Sequence, residues 1–79
     1  MKTQHHRTYN ATQRARIEVY QPHGTRRWVA DLYYRRTWIA QANASHIPAY
    51  LPEKQAVTEA AKLFGRMRGF EKFKVIEIA

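Results

Sequence analysis

The sequence predicts an α+β domain: a three-stranded antiparallel sheet followed by one helix and a final strand (β-β-β-α-β), with the helix packed on one sheet face. Three observations predict it. Apolar and polar residues alternate around Ile17 and Val19, and again through Trp28, Ala30, Leu32 and Tyr34, which is the period of half-buried strands. Ala56, Val57, Ala60, Ala61, Leu63, Phe64 and Met67 recur at helical spacing and form a core-facing stripe. Turn residues stand between these segments, and one helix laid on one face of a sheet is the simplest way to bury both patterns.

Residues 1–13 are polar, basic and without apolar period, and read as a flexible basic N-terminal arm preceding a single α+β domain over 14–79. The first strand covers Ala15 to Tyr20. Gln21-Pro22-His23-Gly24-Thr25 then breaks the chain, Pro fixing φ and Gly supplying a left-handed corner. The second strand runs from Arg26 to Tyr34. Its core face is Trp28, Ala30, Leu32 and Tyr34, because the alternative would bury Asp31 beside arginines. Arg35-Arg36-Thr37 turns the chain into the third strand, Trp38 to Ala42. After a loop containing Pro48, Pro52 opens a helix over Glu53 to Arg68, with Gly69 at the C-cap position. Gly65 lies on the outward side of that helix. Phe73 to Ile78 forms the last strand.

With 79 residues the chain buries only about 60% of its unfolded surface, so each large apolar side chain carries weight. Cysteine is absent, which removes disulfides and thiolate metal sites as sources of stability. That composition suits a reducing cytoplasm. No apolar run is long enough to span a membrane, and MKTQHHRTYN has no apolar stretch of the secretory kind.

Charge is the dominant compositional signal. Fourteen Lys and Arg against six Asp and Glu give +8, and nine of the fourteen are arginine, the better fork for phosphate. The excess lies before the helix. Arg26-Arg27 and Arg35-Arg36 flank the second strand, while Arg14 and Arg16 lie on the first; such residues can follow a phosphate backbone. Tyr33 lies on the open face, and hairpin parity decides whether Trp38 joins it. An even loop centred on Arg35-Arg36 places Trp38 opposite Tyr33 as a base-stacking platform, whereas an odd loop sends it to the core. Asp31 is expected to pair with Arg27 and Arg35.

The residues expected to meet a partner are therefore Arg14, Arg16, Arg26, Arg27, Tyr33, Arg35, Arg36 and Trp38. The expected partner is nucleic acid, DNA rather than RNA. A three-stranded sheet with a helix broadly resembles the arm-type DNA-binding domains of tyrosine recombinases, which implies a sheet entering the major groove. The alternative is a protein inhibitor or adaptor of the phage or plasmid kind, such as an anti-CRISPR protein, docking on an acidic or nucleic-acid-handling protein through the same face. Self-pairing into a homodimer through open strand edges is compatible with either. No catalytic motif, phosphate loop, metal-ligand spacing or cofactor signature is present, so the chain is expected to bind rather than catalyse, without cofactor or metal.

Overall fold

A computed structural model describes residues 3–70 and 74–76. Five strands and one helix follow one another as β1 (Thr3–Ala11), β2 (Ala15–Pro22), β3 (Val29–Tyr34), β4 (Thr37–Ala42), α1 (Glu53–Phe64) and β5 (Val75–Ile76). All five strands join one antiparallel sheet in the order β4-β3-β2-β1-β5, curled into a half-barrel. The expected three-stranded sheet is therefore wrong. The added strand is β1, built from the segment read as an arm, and β5 extends the sheet on its far side.

β1 escapes an apolar-alternation test for a physical reason. Only Tyr9 and Ala11 of its residues are buried, so its order comes from ladder bonds to β2 on one side and β5 on the other. A bulge interrupts even that pattern: Gln4 faces Gln21 while Arg7 faces Val19, and His5 adopts a left-handed φ of 55°. Tyr9 then anchors the strand, donating its hydroxyl to the Glu53 carboxylate at the helix start. Arg7 reaches the same carboxylate at 3.7 Å.

The core face is the one the alternation predicts except at Tyr34, which is exposed at the end of β3 rather than buried. Ala15, Ile17 and Val19 from β2, Ala30 and Leu32 from β3, and Ala42 from β4 are buried with Trp28, Ile47 and the helix residues Ala56, Val57, Ala60 and Phe64. Trp28 also donates its indole N–H to the Leu51 carbonyl at 2.7 Å, tying down the loop between β4 and α1. Because β4 and β5 lie on opposite edges of the sheet, the chain must cross the core face between them, and α1 makes that crossing.

α1 starts at the Pro52 N-cap as expected but stops at Phe64, capped by Gly65, whose N–H donates to the Ala61 carbonyl at 2.9 Å while the Arg66 N–H donates to the Leu63 carbonyl at 3.1 Å. Gly69 has a φ of 93° and belongs to a later turn. Gly24, at φ 82°, supplies the left-handed corner the β2–β3 loop requires. Of the expected last strand, Val75 and Ile76 are confirmed, while residues 73, 77 and 78 lie outside the described ones. With five strands present, the layout behind the recombinase-arm resemblance is not the one this chain adopts.

Candidate functional site

The sheet face turned away from α1 is read most directly across the strands, because opposed residues share a face. Ile76, Asn10, Arg16, Tyr33 and Trp38 are consecutive Cα partners and form one transverse row from β5 to β4. A second row contains Thr8, Glu18, Asp31 and Gln41.

Trp38 owes its place in the first row to two local features. The β3–β4 connection is a two-residue turn, with Tyr34 opposite Thr37. A bulge then follows: Leu32 faces Ala40 and Tyr33 faces Trp38, leaving Ile39 as the extra residue. Without that insertion the side chains of β4 would alternate from buried Ala42 to put Trp38 on the core side. With it, Ile39 packs against the core and Trp38 stands 52% exposed beside Tyr33.

Arg16 stacks its guanidinium 4.1 Å from the Tyr33 ring centroid. The same group donates from Nε to Glu18 and from Nη1 to the Arg35 carbonyl, both at 2.9 Å. Its charge is thus offset by Glu18 and its geometry fixed from three sides. Glu18 in turn meets His6 Nε2 at 3.0 Å, and the His6 ring packs edge-on against Tyr20.

Asp31 does not pair with Arg27 or Arg35. It is 7% exposed and accepts three hydrogen bonds, from Tyr20 Oη at 3.0 Å, Trp38 Nε1 at 3.1 Å and Gln41 Nε2 at 3.0 Å. Three strands thereby converge on one carboxylate that also holds the Trp38 indole in place. The register brings these partners together, so strand-by-strand reading could not find them.

Two consequences are measurable. Asp31→Ala strands three donors and is expected to lower the unfolding free energy by about 1–3 kcal/mol in chemical denaturation. Burial, then the hydrogen bond and charge of Asp31, push the Tyr20 phenol from 10.0 up to about 12. Above its ordinary range the unfolded chain releases a proton that the folded chain keeps. The Tyr20 contribution is therefore complete below about pH 10 and lost as pH rises through about 12. Phenolate absorbance should show Tyr20 titrating at lower pH in Asp31→Ala; an unmoved midpoint would assign the shift to burial alone.

The remaining arginines gather at the ends of the sheet. Arg14, in the β1–β2 turn, accepts on its carbonyl the Arg35 N–H at 2.9 Å, so Arg14, Arg16, Arg35 and Arg36 share one end. Arg26 and Arg27 precede β3 at the other, with the Arg26 carbonyl bound by Gln21 Nε2 at 3.1 Å. The six residues of β3 separate the two ends by roughly 20 Å. Arg14, Arg26, Arg27, Arg35 and Arg36 are all exposed, and none forms an ion pair among the described residues. The face between them carries Glu18 and Asp31 against Arg16. Free positive charge therefore frames the face rather than covering it.

Among the described residues no group of three His, Cys, Asp or Glu side chains converges as a metal site requires, and no helix is long and apolar enough to cross a membrane. No family model, curated protein or solved structure matches the chain.

Proposed function

We propose that the chain is a small nucleic-acid-binding module, acting on DNA in the first instance, that lays bases on the Tyr33–Trp38 pair and phosphates on the arginine turns at the sheet ends. The observation that carries this reading is the cross-strand aromatic pair standing between two sets of exposed arginines that have no carboxylate partner among the described residues. Aromatic rings exposed on a sheet stack bases of any sequence. Arginines at the rim neutralise phosphates and release counterions. Glu18 and Asp31 repel phosphate from the middle of the face, which sorts the ligand into bases inward and backbone outward.

The test is binding of single-stranded and duplex DNA and RNA probes across a salt series, with Arg35→Ala/Arg36→Ala in parallel. Two lost phosphate contacts are expected to flatten the logarithmic salt slope on a single strand by about 1.4. Salt-insensitive or absent binding to every probe overturns the reading.

The two carboxylates favour one second reading, a protein inhibitor or adaptor docking through the same face. Arg, Tyr and Trp are the residues that dominate protein interfaces, and a mixed-charge centre suits a protein surface better than a uniform polyanion. A stoichiometric protein complex that survives nuclease and moderate salt would decide for it.

A further inference from the structure

The sheet end that gathers Arg14 and Arg35 also encloses a groove of about 710 Å³. Its rim is the two facing turns, Gln13-Arg14 and Arg35. Its wall is Tyr34, Ile39 and Phe70, with the Tyr34 and Phe70 rings packed edge to face at 6.2 Å. The Arg35 guanidinium lies 5.5 Å from the Tyr34 ring centroid. The volume falls in the range that holds small ligands.

The backbone around this groove is unusual. Gln13, Arg14 and Arg35 have φ of 64°, 59° and 58°, and these are three of the four non-glycine residues with positive φ among the described residues. Glycine is the default in that region, and an L side chain there costs about 1 kcal/mol or more. Such conformations concentrate where a site needs a particular side chain. Turn geometry alone would be served by glycine at both arginine positions, so the fold carries two guanidinium groups at the groove rim against its own local preference.

The chemistry of the groove is twofold: cationic at the rim, aromatic and apolar in the wall. Phosphate alone uses only the first, and an apolar molecule only the second. A nucleotide uses both. We propose that this groove is a nucleotide subsite, with Arg14 and Arg35 holding the phosphate and the base packed on the Tyr34–Phe70 wall. Tyr33 and Tyr34 point to opposite faces of β3, so a strand leaving the Tyr33–Trp38 platform rounds the Arg35-Arg36 turn to enter it. The inference deepens the nucleic-acid reading and rests on it for the strand as the nucleotide's source.

The experiment uses the full chain and follows its backbone amides by correlation NMR during titration with adenosine monophosphate, adenosine and inorganic phosphate. Adenosine monophosphate is expected to shift the amides of Gln13, Arg14, Arg35 and Gly69, and to bind at least about tenfold tighter than either fragment. Arg14→Gly and Arg35→Gly relax the backbone while removing the guanidinium. Each is expected to keep or raise the unfolding temperature yet weaken nucleotide binding about tenfold. Unchanged affinity in both variants, shifts confined to other residues, or phosphate binding as tightly as the nucleotide overturns the proposal.

An oligodeoxyadenylate with a terminal phosphate separates the sources. Loss of its binding in the glycine variants assigns the groove to a strand end. If the oligonucleotide binds equally well to parent and variants, the groove assignment fails and the module reading stands. If the parent binds the nucleotide in the groove but no oligonucleotide, the module reading fails and the source is a free nucleotide.

Discussion

Tyr33→Ala combined with Trp38→Ala is expected to weaken single-stranded DNA binding by roughly 30-fold or more, since each stacked base contributes about 1–3 kcal/mol. The two rings are adjacent across β3 and β4, so one strand can use both. Duplex binding should fall much less, because paired bases do not present their faces. Trp38 also bonds Asp31, so its removal disturbs the network as well as the platform. Tyr33→Ala alone separates the two effects: the ring packs on Arg16 and takes no part in the bonds that hold Asp31. That single change should cost about fivefold or more on single strands while leaving the unfolding transition close to the parent's. Equal affinity for single strands in parent and Tyr33→Ala would remove the platform from the binding surface.

Phe64→Ala is expected to have the largest effect on stability, about 3–5 kcal/mol. Phe64 is the largest fully buried side chain, and it sits on the last turn of the one helix that crosses the core face. Small domains hold roughly 5–15 kcal/mol in total, so this one change removes a large share and broadens the population of unfolded chain. Leu63→Ala, on the neighbouring and only partly buried position, is the control and should cost clearly less. Denaturation midpoints at constant slope measure both. A Phe64→Ala loss below about 1 kcal/mol would show that the cavity refills and that α1 is not what secures the sheet.

What could be read from the chain divides along the kind of force involved. β2, the core face of β3 and the buried stripe of α1 follow from apolar periodicity, and Gly24 marks its turn because a left-handed corner suits it. Those features are written in single side chains. β1 is different: TQHHRTYNA is ordered mainly by backbone pairing with β2, joined by β5 only at Asn10 and Ala11, and such bonds leave no trace in side-chain pattern. Trp38 faces Tyr33 because the Arg35-Arg36 turn is even, one of the two outcomes hairpin parity allows, whereas the bulge at Ile39 that returns Ala40 and Ala42 to the core side has no local signal. Asp31 gathers Tyr20, Trp38 and Gln41 only after three strands have found their register; nearness in sequence instead suggests arginine partners. The left-handed turns at Gln13-Arg14 and Arg35 were hidden for the opposite reason, since their residues are not those that turn chemistry favours. The helix end shows a smaller version of the same limit, with Gly65 rather than Gly69 closing it.

The antiparallel contact of Asn10 and Ala11 with Ile76 and Val75 has a kinetic meaning. Every other strand pair in the sheet joins neighbours along the chain, and those hairpins close short loops. The β1–β5 ladder joins Asn10 to Ile76 and Ala11 to Val75, 66 and 64 positions apart, so its loop-closure entropy is the largest of the strand pairs. During synthesis the four-stranded meander is complete before this last partner exists, and one side of β1 stays an open edge for that interval. β5 is therefore a late-arriving partner that covers the Asn10–Ala11 end of the edge opposite β4.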